Sequence, residues 1–233
     1  MEQIERYIGI LRYCSLFHGL TDTEILTICR CLDCRRIVYT KSQVLWLGGD
    51  KVDNCGVVLS GRICAETMST NGQRTIVAAH LPGNVFGDIL MSTPGTASPW
   101  DIVAAEDSEV LLIPFDRLMG SCANSCEFHT RLRQNLLAGI GEKYWHLRRR
   151  LSYLTPRKLR TRAARWLLDE ASRQGSDIFT VDETREDLAD TLGANRSALS
   201  RELCRMRQEG LLDFYRGSFK ILDHAALLCA SEE

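Results

Sequence analysis

The sequence predicts an α+β protein in three parts: an N-terminal antiparallel β unit, one long helix, and a small helical unit that closes on a β-hairpin. Three observations carry that reading. Turn signals recur about every ten residues through the first half, between short apolar runs. One apolar stripe at helical spacing then runs from Phe128 to Leu154. Past Thr155-Pro156, two helical patterns flank Gly193 and precede a second hairpin signal at Arg216-Gly217.

Length and composition narrow the class. At 233 residues the chain makes one large domain or two small ones, with enough material for a buried core. A hydrophobic content of 45% with a net charge of −1 excludes a disordered chain. No apolar run reaches the roughly 18 residues that a membrane span needs. Met1–Tyr13 carries Glu2 and Glu5 and has no apolar signal-peptide core, so the chain is expected to be cytoplasmic. In that reducing compartment its 10 cysteines are expected as thiols, metal ligands or redox sensors rather than structural bridges.

A first helix is expected over Thr21–Cys31, with Thr21 at the N-cap and Glu24 three residues on to complete a capping box. Val44-Leu45-Trp46, Gly56-Val57-Val58-Leu59 and Thr75-Ile76-Val77 then read as strands. They are separated by Gly48-Gly49-Asp50, Ser60-Gly61, Asn71-Gly72, Pro82-Gly83 and Phe86-Gly87-Asp88. Asn71-Gly72 signals a two-residue hairpin, since both positions accept positive φ. Glu109–Pro114 reads as the last strand of an antiparallel sandwich or barrel-like unit.

The helical region runs from Asp116 to Leu154. From Phe128 its apolar residues are Leu132, Leu136, Ile140, Tyr144, Leu147, Leu151 and Leu154, in steps of three and four. One small β unit cannot cover a single stripe of that length, which predicts a seam with a second copy. Thr155-Pro156 breaks the helix, because a residue before proline is pushed out of the α region. Arg157–Gln174 is then a helix stopped by Gly175, Phe179–Val181 a short strand, and Arg185–Leu192 and Arg196–Glu209 two further helices. Leu211–Phe214 and Ser218–Ile221 form the closing hairpin.

Thr184–Leu212 has the physics of a helix-turn-helix. Leu188, Ala189 and Leu192 face inward from the first helix, and Leu199, Leu203 and Met206 from the second. Small Ala189 lets the helices cross closely, and Gly193 supplies the positive φ of the turn. Arg196, Ser197, Ser200 and Arg201 are left facing outward at the start of the second helix, where a recognition helix meets base edges. Arginine can take guanine bidentately through O6 and N7. Asn195 stands as N-cap at a helix end that favours phosphate. Thr184 and Arg185, with Arg216 and Lys220 on the hairpin, complete the predicted contacts to double-stranded DNA. Arg148-Arg149-Arg150 just upstream adds to a local basic patch within a near-neutral whole.

On these residues the chain resembles the Crp/Fnr family of bacterial transcription regulators over nearly its full length. Gly49-Asp50, Leu59-Ser60-Gly61, Asn71-Gly72, Pro82-Gly83 and Phe86-Gly87-Asp88 carry the likeness to that family's antiparallel, cyclic-nucleotide-binding-like β-roll. The long helix is similar to its dimerisation helix, and the end to its winged helix-turn-helix. The resemblance implies three parts: residues 1–115 sense an effector, 116–154 dimerise and 155–233 bind DNA. It implies a homodimer on a palindromic site, with a small-molecule effector or redox state shifting DNA affinity, and RNA polymerase as partner where the regulator activates. Arg196, Ser197, Ser200 and Arg201 fall on the family's recognition positions. Many members have glutamate at the position of Ser197, so the half-site does not carry over.

The cAMP-binding members begin their phosphate cassette with Gly-Glu and end it with Arg-Ser. Here Gly87-Asp88 keeps the start, while the end aligns with Ser98-Pro99 ahead of Trp100-Asp101. Without that arginine a cyclic phosphate has no bidentate partner, which speaks against cAMP. Another small molecule in the roll would meet Gly87, Asp88, Ile89, Ser98, Pro99 and Trp100, with Leu147 and Arg148 from the long helix. Cysteine offers a rival signal. Cys14, Cys29, Cys31 and Cys34 could hold an iron–sulfur cluster or zinc, or act as a redox switch. Their spacing differs from that of the oxygen-sensing members, whose late ligand falls near Val110-Leu111, and a free cysteine is commonly a small buried apolar residue. Heme would need an axial ligand, and none of His18, His80, His129, His146 and His224 stands in a distinguishing pattern.

No P-loop, nucleophile elbow, zinc-protease or dinucleotide fingerprint is present. Cys122 or Cys126 with His129 is the nearest approach to a nucleophile and base, and it has no evident oxyanion hole. An enzyme is therefore not expected.

Overall fold

The computed structural model describes residues 2–69, 72, 74–93, 96–120 and 127–232, the side chains of Glu2 and Gln3 aside. The chain divides into two compact units, Met1–Glu142 and Lys143–Glu233. Among the described residues no helix is long and apolar enough to cross a membrane.

The first unit opens with α1 (Glu2–Glu5), α2 (Ile8–Leu11), a short 3-10 turn (Ser15–Phe17) and α3 (Asp22–Cys31). The capping box forms as the sequence requires: the Thr21 amide donates to Glu24 at 2.7 Å, and the Glu24 amide donates back to the Thr21 hydroxyl. The strands follow: β1 (Arg35–Tyr39), β2 (Val44–Trp46), β3 (Asn54–Ser60), β4 (Ile63–Met68), β5 (Arg74–His80) and β6 (Val85–Phe86). After α4 (Asp88–Met91) come β7 (Asp101–Ala104), β8 (Ser108–Pro114) and α5 (Phe115–Met119). They make two four-stranded antiparallel sheets, in the orders β1-β8-β3-β6 and β2-β7-β4-β5.

Strand alternation divides the core of this unit. Cys55, Val57, Leu59, Leu111 and Ile113 point to one side, where they pack with Leu16, Phe17, Ile25 and Ile28. Val58 and Val110 point to the other side and meet Ile63, Ala65, Phe86 and Ile102. A Cβ at Gly56 would stand 2.2 Å from the Phe86 ring, so the ring occupies the space that only glycine leaves.

Two expectations for this unit need correction. The last register pair of β4 and β5 is Met68 with Arg74, so residues 69–73 connect the strands rather than a two-residue loop; Asn71 itself lies outside the described residues. The apolar stripe of α6 (Glu127–Leu154) is not one continuous seam. Leu132 and Leu136 are buried in the unit's own core, with Phe128 and Ile140 packed against it. Tyr144, Leu147 and Leu151 are exposed, and so is Trp145.

The second unit contains the end of α6, α7 (Leu159–Gln174), β9 (Ile178–Thr180), α8 (Arg185–Thr191), α9 (Arg196–Gln208), β10 (Leu212–Tyr215), β11 (Ser218–Ile221) and α10 (His224–Glu232). Helix α7 starts at Leu159 rather than Arg157, because Lys158 is an extended N-cap, and it ends at left-handed Gly175. The small sheet has the order β10-β11-β9. Trp166, Leu167, Phe179, Leu188, Leu203 and Phe219 share its core. Helix α10 was not anticipated; its Leu227 and Ala230 close the same core.

Candidate nucleic-acid interface and effector site

The helix-turn-helix is built as its residues require. Leu188, Ala189, Leu192, Leu199, Leu203 and Met206 are all buried. Gly193 takes φ +58, and Arg162 secures the turn by donating to the carbonyls of Leu192 at 2.7 Å and Gly193 at 3.1 Å. The Asn195 side chain accepts from the Ala198 amide at 2.7 Å and from the Ser197 hydroxyl at 2.9 Å, so Ser197 is partly committed to the cap. Arg196, Ser197 and Arg201 are exposed and Ser200 is half-buried, all on one helical face. Behind that face, Arg160 pairs with Glu202 at 3.8 Å and with Glu209. That hydrogen bond holds the Glu209 carboxyl below its ordinary range. Arg196 and Arg201 are the two cations among the four residues of that outward face.

Thr184 and Arg185 are placed differently. The Thr184 hydroxyl donates to Asp187 at 2.6 Å and accepts from its amide, a second capping box. The Arg185 guanidinium turns to the hairpin and donates to the Arg216 carbonyl at 2.8 Å. Arg216 and Lys220 are exposed on the wing, and Arg216 sits 5.3 Å from the ring of exposed Tyr215. Sequence reading did not single out Tyr215, nor a cleft of about 750 Å³ lined by Arg150, Arg157, Arg162 and Asn195. The signal for the cleft was present only as arginines scattered over three elements.

In the roll, Gly87 takes φ +73 at the head of α4, and a Cβ there would stand 2.9 Å from the Trp46 ring. Asp88 is buried and Ile89 exposed. Ser98 is buried; its hydroxyl donates to the Trp100 carbonyl at 2.6 Å, while Pro99 and Trp100 are exposed. The Gly49 amide donates to the Ser98 carbonyl and the Ser98 amide to the Asp50 carbonyl, both at 2.8 Å. Residues 46–50 therefore touch both halves of the candidate set. Leu147 and Arg148 are exposed on the stretch of α6 that belongs to the second unit.

Among the described residues no group of three or more His, Cys, Asp or Glu could hold a metal ion. Cys14 and Cys29 are buried among apolar side chains and Cys31 is half-buried. A hydrogen bond with Cys29, followed by burial, pushes the Cys34 thiol well above its usual range. Among the described residues these cysteines are thus not gathered into a metal-binding set. Cys122 and Cys126 lie outside the described residues. Of the five histidines only His129 is buried, and neither of its ring nitrogens has a hydrogen-bond partner.

Residues 36–125 match the family model of the cyclic nucleotide-binding domain, and residues 161–230 that of the Crp-like helix-turn-helix domain. The chain is 28% identical to the anaerobic regulatory protein of Pasteurella multocida over 200 residues, 83% of this chain and 71% of the relative. It is 25% identical to the cyclic AMP receptor protein of Thermus thermophilus over 213 residues, 91% of this chain and 94% of that one. The crystal structure of the Thermus thermophilus catabolite activator protein shares the fold, with a TM-score of 0.52 at 23% identity. That match covers 94% of this chain and 98% of the other.

Proposed function

Because the chain belongs to the Crp/Fnr family of DNA-binding transcription regulators, we propose that it acts as a homodimer on a palindromic site under the control of a small-molecule effector in its β-roll. The cassette carries the effector reading. Gly87-Asp88 keeps the start of a ligand-binding turn, while residues 96–100 contain no cation. A cyclic phosphate would lack its partner there, whereas exposed Ile89 and Trp100 suit a less charged ligand. The exposed run of Tyr144, Leu147 and Leu151 supports the homodimer. In this reading residues 1–115 sense, 116–154 dimerise and 155–233 bind DNA in the cytoplasm, with RNA polymerase as partner at activated promoters. The effector resets the packing of the paired long helices and so the separation of the recognition helices, which must lie about 34 Å apart to meet successive major grooves.

Native mass spectrometry of protein purified without oxygen tests the proposal. A dimer with a small-molecule adduct that Asp88→Ala removes is the expected result. A bare monomer overturns the homodimer. The mass of a cluster or heme overturns the small-molecule reading in favour of a redox or metal signal.

A further inference from the structure

We propose that Arg185 is a positioning residue that fastens the wing beside the recognition helix, and that it does not itself contact DNA; this rests on the DNA-binding reading of α8, α9 and the hairpin. Arg185 is the first residue of α8, a place from which a free guanidinium would reach toward a phosphate. Its guanidinium carbon instead lies 5.2 Å from the Phe214 ring centroid and 5.0 Å from that of Phe219. From the same position Nη2 donates to the Arg216 carbonyl at 2.8 Å.

The two rings give this contact a fixed base. Phe219 is buried, stacked on Phe179 at 5.7 Å and set edge-on to Trp166 at 5.4 Å. Phe214 also receives Arg207, from the last turn of α9, at 5.0 Å. Arg185 thus joins the start of α8 to both wing strands, and Arg207 joins the end of α9 to one of them. The carbonyl that Arg185 holds belongs to a residue at φ +52, a conformation that a non-glycine side chain disfavours. The Val181 amide donates to the Gly217 carbonyl at 3.0 Å, so the wing tip is held from two elements. Arginine suits the role because its planar group can stack and donate at once, which a lysine ammonium cannot do at this geometry.

The test uses the full chain and a short duplex that the wild-type protein selects from random-sequence DNA. Amide hydrogen exchange over residues 212–221 and DNA affinity against salt are measured for wild type, Arg185→Ala, Arg185→Lys, Arg216→Ala and Arg185→Ala with Arg216→Ala. Both Arg185 variants should speed exchange in the hairpin by about tenfold and leave α9 unchanged. Their affinity should fall about as far as that of Arg216→Ala, and the double variant should be no weaker than the singles. Arg185→Gln, which keeps a donor, replaces the alanine variant if that one melts. A direct phosphate contact gives unchanged hairpin exchange, near-wild-type binding by Arg185→Lys, and losses that multiply in the double variant; that pattern overturns the proposal. Faster exchange with undiminished affinity overturns it as well, because the wing's place would not matter. Selection without sequence preference would instead undo the DNA reading, and the exchange data would still decide whether Arg185 holds the wing.

Discussion

The hydroxyl of Tyr153, near the end of α6, donates a 2.8 Å hydrogen bond to Asp169 of α7. Tyr153 is buried, and its ring belongs to the core of the second unit. Across the Thr155-Pro156 break, this bond ties the last turn of the long helix to the DNA-binding unit. Tyr153→Phe should destabilise that unit by about 1.5–3 kcal/mol, as expected for a hydrogen bond to a charged group. Burial and Asp169 both push the phenol upward, so the neutral form is the bonded one. With the folded value raised, the contribution is complete below the ordinary tyrosine value of about 10 and is lost only as pH rises beyond it. Denaturant midpoints of wild type and variant should therefore differ equally at neutral and mildly alkaline pH.

Gly193 should resist replacement. At φ +58 a side chain is strained, and a Cβ would stand 2.7 Å from Leu154 Cδ2. The leucine tip can move aside, so the backbone decides the cost. Gly193→Ala should lose about 1–2 kcal/mol and Gly193→Asn less, read as shifts in thermal midpoint.

Arg201 and Lys220 should separate base reading from backbone binding. Arg201→Ala is expected to cost about 1–3 kcal/mol of specific binding and to relax the preference at one position of each half-site. Lys220→Ala should weaken all sequences alike and lower the salt slope by about one. Binding measured on the selected duplex and its single-base variants distinguishes the two; a uniform loss from Arg201→Ala would remove it from base reading.

Leu147→Asp combined with Leu151→Asp should leave the folded units intact and yield a monomer in sedimentation. These side chains are exposed in the single chain, so charge there harms only an interface. DNA affinity should fall with the dimer. A variant that still sediments as a dimer would place the seam elsewhere.

His129 should give the first unit an acid sensitivity above the carboxylate range. Burial, helped by Arg133, lowers its pKa. A depressed folded value means the stability is present above the ordinary histidine value of about 6.5 and is lost as pH falls through the folded value. The slope there should approach, at most, about 1.4 kcal/mol per pH unit. His129→Phe should flatten the denaturant midpoint between pH 7 and pH 5.5.

The local signals of this chain were legible in order. Thr21 with Glu24, Asn195, Gly175 and Gly193 each act through neighbours a few residues away, so spacing alone identified their roles. The inward set of the helix-turn-helix followed from a 3.6-residue period in the same way. The sequence by itself thus determined the class, the order of the three parts and the face that α9 turns outward. Tertiary structure alone decided what that order could not show. It buried Leu132 and Leu136 while leaving Leu147 and Leu151 exposed, although all four lie on one stripe of uniform spacing. It closed the second core with α10, whose apolar residues run nearly all round the helix and show no face of their own. It also brought the Arg185 guanidinium to Phe214, Phe219 and the Arg216 carbonyl, partners more than 25 residues away that no local pattern shows. A period reports which side of an element is apolar; only packing between elements distant in sequence determines what that side meets and where a long side chain comes to rest.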